Sequence, residues 1–167
     1  MVALGLPLLL NLSGMTSAIK AFPRATSLGY CVFSVGAAWF LYNLWHLSKA
    51  DFGDYRTILV IAFGAIAVLA FKCVPDFLGV RGACAIVLLG AGPFLDAAYM
   101  EYSHPLRLFM VSIVYVAISL AIWLGAQPWR LRDFLNWTFA REGRSRGLGG
   151  FLVAYGALLC GVSFMLR

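Results

Sequence analysis

The sequence predicts an all-α fold, a polytopic helical bundle embedded in a membrane and formed as one domain over residues 1–167. Hydrophobic residues make up 62% of the chain and charged residues 12%, and the mean hydropathy is +0.88. A soluble domain is about 45–50% apolar and about 25% charged, so a chain of this size cannot bury so much apolar surface in water. Its apolar segments are near the roughly 20 residues that a helix needs to cross about 30 Å of hydrocarbon. Helices also satisfy their own backbone polar groups, which lipid cannot do.

Five segments are predicted to cross the membrane, at about residues 28–47, 57–75, 80–100, 105–127 and 149–166. A sixth candidate, residues 2–19, is interrupted by Pro7, Asn11, Ser13 and Thr16. It is either a first span or a signal peptide, but it lacks a basic start and a clear A-x-A cleavage site. We therefore predict six membrane helices, or five if this segment is cleaved.

Lysine and arginine are distributed unevenly among the connecting loops. Alternate loops carry most of them, and cytoplasmic loops of membrane proteins are enriched in these residues. We therefore predict that the loops rich in lysine and arginine face the cytoplasm and that both termini face outward if the first span is retained. The chain is expected to be a multi-pass protein of the inner (plasma) membrane if it is bacterial. The rich loops hold Lys20, Arg24, Lys72, Arg81, Arg130, Arg132, Arg141, Arg144 and Arg146, and the other side holds Lys49, Arg56, Arg107 and Arg167.

The stretch FKCVPDFLGVRG, residues 71–82, separates two of these spans. Pro75 and Gly79 disfavour a continuous helix, so we predict a tight cytoplasmic turn. The charge of Lys72 then stays hydrated while its stem lies along the interface. The alternative is a buried pair of Lys72 and Asp76 in a transport path.

Residues 128–142 form a different kind of segment, PWRLRDFLNWTFARE. One side carries residues at helical spacing that form a mainly apolar face, namely Leu131, Phe134, Leu135, Thr138 and Phe139. Its two tryptophans favour the headgroup region. We predict a short amphipathic helix on the cytoplasmic leaflet, followed by a flexible basic link, GRSRGLGG, into the last span. Its arginines would meet anionic lipid or an acidic partner; they are Arg130, Arg132, Arg141, Arg144 and Arg146.

The last predicted span carries small residues along one face. Gly150, Ala154, Ala157 and Gly161 recur at spacings of four, three and four. Such a face lets two helix backbones approach closely, which is how membrane helices associate. The partner helix is either a neighbouring span or another subunit.

Polar residues cluster at the outer ends of the predicted spans. Asn43 and His46 share a helix face, Asp96 ends another span, and Glu101 and His104 follow in the next loop. Imidazole and carboxylate groups can hold a divalent metal or relay protons. No HExxH spacing is present, so a polar rim at the interface is the competing interpretation, and we assign no metal ligand, cofactor or catalytic residue.

These patterns predict a non-enzymatic membrane protein, an accessory or structural subunit that acts by helix–helix association. Its expected partners are the lipid bilayer, with anionic lipid at the cytoplasmic face, and other membrane proteins or a second copy. A net charge of +6 fits basic loops facing lipid and does not indicate nucleic-acid binding. One alternative is a small transporter or channel, which needs polar groups at mid-membrane depth, and the candidates are Asn11, Ser34, Ser112 and Ser119. A third is a membrane enzyme that uses the outer cluster.

Overall fold

A computed structural model describes residues 2–10, 13–48, 50, 52–99 and 107–165. Within these ranges the regular elements are all helical, with short connections between them. Short 3₁₀ turns at Phe22–Arg24 and Gly53–Tyr55 precede two of the long helices. The helices are α1 (Val2–Leu10), α2 (Ser13–Ala21), α3 (Thr26–Trp45), α4 (Arg56–Cys73), α5 (Leu78–Ala97), α6 (Arg107–Ala126), α7 (Trp129–Thr138) and α8 (Glu142–Met165).

Four of these helices are long and apolar enough to cross a membrane. They are α3, α4 with its preceding turn, α5 and α6. They coincide with the predicted spans at 28–47, 57–75, 80–100 and 105–127, with ends displaced by a few residues. The chain is therefore an all-helical protein with at least four candidate membrane helices among its described residues.

The first predicted span, residues 2–19, lies partly outside the described residues, because Asn11 and Leu12 are not among them. On either side of these two residues the chain is helical, as α1 and α2 of nine residues each. The described part of this segment is therefore helical despite Pro7, Ser13 and Thr16.

Helices α3 and α5 lie side by side and run in the same direction. Gly29 on α3 faces Gly79 on α5, and Gly36 faces Gly82. A Cβ atom added to Gly79 would lie 2.9 Å from the Cα atom of Gly29, and one added to Gly82 would lie 2.5 Å from the Cα atom of Phe33. The two backbones touch, and only glycine fits at these points.

Helix α5 is the centre of the bundle, because it packs on α3 along one side and on α6 along another. Val80 and Cys84 on α5 and Ala121 on α6 form a small buried core, with Leu124 and Leu131 packed against it. Helix α4 packs along α3, and none of its residues is buried.

The turn predicted within residues 71–82 lies two residues earlier than the gap between the predicted spans. Helix α4 ends at Cys73 and α5 begins at Leu78, so Arg81 belongs to α5, as the predicted span 80–100 also had it. Phe77 adopts a left-handed conformation, with φ of 58°, and reverses the chain. Because the helix stops before Pro75, Lys72 and Asp76 do not share a helix.

The last helix begins earlier than predicted, at Glu142 rather than at residue 149, so the expected flexible link is helical. Glu142 pairs with Arg146 one turn along, at 3.4 Å, and an acidic residue favours a helix start. Contact with α1 overrides the low helix propensity of the glycines in this stretch.

Helices α1 and α8 pack against each other in opposite directions. A Cβ atom on Gly149 would lie 2.8 Å from the carbonyl oxygen of Gly5. Ser145 is completely buried, and its hydroxyl donates a hydrogen bond of 2.8 Å to the carbonyl oxygen of Leu8. Leu8 lies in the last turn of α1, where carbonyl groups lack partners within their own helix.

Candidate functional site

A polar cavity of about 400 Å³ lies where α3 and α5 begin, and we call it the basic-end cavity. Because these helices are parallel, their N-termini meet at the same end of the bundle. The turn between α4 and α5 and the side of α7 close the cavity. Its lining includes Arg24, Thr26, Asp76, Leu78 and Arg132.

Both helix starts at this cavity lack a side-chain cap. The N-cap positions are Ala25 for α3 and Phe77 for α5, and neither side chain hydrogen-bonds to its helix. Helix N-termini carry partial positive charge and unpaired N–H groups, which favour a nearby anion. Two such ends side by side, together with arginine, create a positive potential at one edge of the cavity.

Carboxylates balance the arginines at the basic-end cavity. Arg132 donates two hydrogen bonds to one oxygen of Asp133, at 2.9 and 2.8 Å. Asp76 lies in the cavity lining itself and is exposed, as is Arg24. These four side chains therefore carry no net charge, and positive and negative groups are both available to a ligand.

An apolar groove of about 410 Å³ adjoins this cavity, between α2, α3 and α7. The groove and the cavity are lined by consecutive residues of the chain in two places. Phe22 lines the groove and Pro23 the cavity, and on α7 Leu131 lines the groove and Arg132 the cavity. The groove presents almost only carbon atoms. Its lining residues are Ala18, Ile19, Phe22, Leu28, Leu131 and Leu135.

Helix α7 turns most of the face predicted to be apolar toward the rest of the protein. Thr138 is 1% exposed, and Leu131, Leu135 and Phe139 are half-buried. Phe134, which the sequence pattern placed on the same face, is exposed. The helix ends at Thr138, four residues before the predicted end at 142, and α8 begins at Glu142.

The predicted arginine surface around α7 is largely engaged with aromatic rings and acids. Arg130 lies over the ring of Trp123 at 5.2 Å, and Arg144 lies over Trp137 at 4.5 Å. Arg132 and Arg146 form the pairs already described, with Asp133 and Glu142. Arg141 is exposed in the connection between α7 and α8. Cation–π contacts hold α7 to α6 and α8, so this surface is ordered by the protein itself.

The outer polar cluster is only partly within the described residues, because Glu101 and His104 lie outside them. Asn43 donates from Nδ2 to the carbonyl oxygen of Trp39 at 3.0 Å, and Nδ1 of His46 lies 2.8 Å from the carbonyl oxygen of Tyr42. Both side chains thus bond to their own helix, and Asp96 is exposed at the end of α5. Among the described residues, no three histidine, cysteine or acidic side chains are grouped to hold a metal.

The serines proposed for a transport path make local bonds. Ser112 donates to the carbonyl oxygen of Leu108 at 2.7 Å, and Ser119 donates to that of Tyr115 at 2.9 Å. These bonds to the preceding turn satisfy the hydroxyl groups within α6. Ser34 is exposed on α3, and Asn11 lies outside the described residues.

The predicted packing face of α8 is not the face that contacts α1. The contact uses Gly149, whereas Ala154, Ala157 and Gly161 are exposed. A Cβ atom added to Gly161 would meet no described atom within 4 Å, and one added to Gly150 would meet only the end of the Leu9 side chain, at 3.8 Å. Small residues on α8 therefore form two faces, about 100° apart around the helix, and one is open.

Sequence reasoning did not foresee the basic-end cavity or the contact between α3 and α5. Glycines at 29 and 36 repeat on one face of α3, and glycines at 79 and 82 repeat on α5, which is a detectable signal. Comparison with protein-family models, with curated proteins and with solved structures gives no match for this chain.

Proposed function

We propose that this chain is a non-enzymatic integral membrane protein that acts by associating with other membrane helices, as an accessory or structural subunit. The open small-residue face of α8 carries the proposal. Ala154, Ala157 and Gly161 are exposed within a chain whose other close helix contacts use glycine. A helix backbone can approach such a face closely, and packing is the main driving force between helices in lipid.

The proposed arrangement has α8 as a fifth crossing helix. With 24 residues it is about 36 Å long, and its charged residues lie in its first turns. Helix α1 packs against α8 through the contact of Gly5 with Gly149 and through the hydrogen bond of Ser145. The basic end, with α7 lying in the headgroup region, faces the cytoplasm.

The exposed face of α4 provides the contrast that supports α8 as the association surface. Ile58, Ile61, Val68 and Leu69 are between 56% and 70% exposed, and they are bulky and apolar. Bulky side chains keep backbones apart and mix well with acyl chains. We assign this face of α4 to lipid and the small-residue face of α8 to a protein partner.

Mild detergent extraction of the tagged protein from its native membrane tests the proposal. Mass spectrometry of the purified material should reveal another membrane protein, or a second copy of this chain, in a fixed ratio. A protein that purifies alone from several mild detergents, and also remains uncrosslinked in the membrane, would contradict it.

A further inference from the structure

We propose that the basic-end cavity and the adjoining apolar groove together bind one molecule of a zwitterionic phospholipid with a primary ammonium headgroup, phosphatidylethanolamine. This inference concerns a lipid ligand and does not depend on any protein partner. It rests on a polar cavity with charges of both signs, lying next to a groove made of carbon atoms.

The phosphate would lie at the edge of the cavity formed by Arg24, Arg132 and the first turns of α3 and α5. Arginine binds phosphate oxygens through several N–H groups held in one plane. The N-termini of α3 and α5 add partial positive charge at the same place, and in α5 the amides of Leu78 and Val80 already donate to the carbonyl oxygens of Pro75 and Phe77. A volume of about 400 Å³ is within the roughly 300–1,000 Å³ of ligand pockets.

The ammonium group would pair with the exposed carboxylate of Asp76. The two arginines are balanced by Asp76 and by Asp133, which already pairs with Arg132 at 2.8 Å. A headgroup without net charge matches this balance. An anionic headgroup with no ammonium would place negative charge near Asp76 and leave that carboxylate without its partner.

An acyl chain would leave the headgroup along the apolar groove. The wall changes from Arg132 to Leu131 and from Pro23 to Phe22, so polar and apolar surfaces meet as they do in a phospholipid. The candidate spans α3 and α5 begin at Thr26 and Leu78, which line the cavity, so in a bilayer the cavity would lie at headgroup depth and the groove at the start of the hydrocarbon. One amphiphile therefore fits both spaces.

Native mass spectrometry of the purified full chain, with phosphatidylethanolamine and phosphatidylglycerol of identical acyl chains in equal amounts, tests the proposal. We expect one bound phosphatidylethanolamine in preference to phosphatidylglycerol. Arg24→Gln should weaken its binding about tenfold, the effect of losing one hydrogen bond to a charged group. Asp76→Asn should abolish the preference for phosphatidylethanolamine.

Two further variants separate the site from general effects on the surface. Arg141→Gln removes an exposed arginine outside the cavity and should leave lipid binding unchanged. Ala18→Phe fills the groove without touching the cavity and should also weaken phosphatidylethanolamine binding. Each variant is compared at an unchanged melting temperature, so that a folding defect is not mistaken for a binding defect.

Three outcomes would overturn the proposal. The first is equal binding of the two lipids by the unaltered chain. The second is an equal loss of binding in Arg24→Gln and Arg141→Gln, which would indicate general attraction to a basic surface. The third is displacement of the lipid by excess inorganic phosphate with no effect of Ala18→Phe, which would make the cavity a site for free phosphate.

Discussion

Individual glycines set the distance between α3 and α5. At Gly82 the neighbouring atoms belong to the backbone around Phe33, so a larger residue cannot be accommodated by moving a side chain. This contact determines that the two N-termini lie side by side. The geometry of the basic-end cavity therefore depends on residues that do not line it.

We expect Gly82→Ala to lower the free energy of unfolding by about 3 kcal/mol, the upper end of the usual cost of overpacking. The measurement is denaturant unfolding in detergent micelles. Gly64→Ala is the control, because a Cβ atom there meets nothing within 4 Å. The control should be neutral or stabilising by up to about 1 kcal/mol. Equal effects of the two variants would contradict the close contact.

Ser145 connects two helices, whereas Ser112 bonds within one. Ser145→Ala removes the hydrogen bond to Leu8 and should cost about 1 kcal/mol, since such bonds between membrane helices contribute about 0.6–1.7 kcal/mol. Hydrogen exchange of the α1 amides should become faster. In the control, Ser112→Ala, we expect a smaller loss of unfolding free energy and no change in the exchange of the α1 amides. No acceleration in Ser145→Ala would show that α1 is held by other contacts.

Among the single helices, α7 is held at the basic end of the bundle by contacts between arginine side chains and tryptophan rings. Trp137 is 55% exposed and lies beneath Arg144. An exposed tryptophan next to arginine is typical of the headgroup region, where an aromatic ring meets both water and acyl chains.

A variant that keeps Trp137 and replaces the other tryptophans by phenylalanine tests whether α7 lies in the headgroup region. In vesicles, lipids brominated near the headgroup should quench its fluorescence more strongly than lipids brominated near the chain ends. A second variant that keeps only Trp39, within α3, should show a different depth profile. Strongest quenching of Trp137 by deep bromines would contradict an interfacial helix.

How much of each element could be predicted depends on whether its signal is local. The four helices from α3 to α6 follow from apolar length alone, because lipid requires that length. The same apolar signal predicts helix in residues 2–19, and the described parts of that segment are helical in α1 and α2. The helical start of α8 could not be predicted, since its glycine-rich sequence is stabilised by contact with α1, far away in the chain.

At the scale of the whole molecule, the chain buries little of its own surface. Helix α4 has no buried residue, and the open face of α8 points away from α1. The basic-end cavity could not be predicted from the sequence, because it depends on how the helices pack together. Arg24, Asp76 and Arg132 are far apart in sequence and line one cavity because α3 and α5 run in parallel and α7 lies beside their first turns.

The most direct test of association compares two substitutions of alanine by leucine in the tagged protein within its native membrane. Ala157→Leu places a large side chain on the open face of α8. Ala65→Leu does the same among the bulky residues of α4 and serves as the control. The measured quantity is the fraction of chain crosslinked to its partner or to a second copy.

We predict that Ala157→Leu weakens association by about tenfold, because overpacking a close helix contact costs about 1–3 kcal/mol. Ala65→Leu should leave the crosslinked fraction unchanged, since we assign this face of α4 to lipid. An unchanged crosslinked fraction in Ala157→Leu, with the protein folded and present at normal levels, would contradict the assignment of α8 as the association surface.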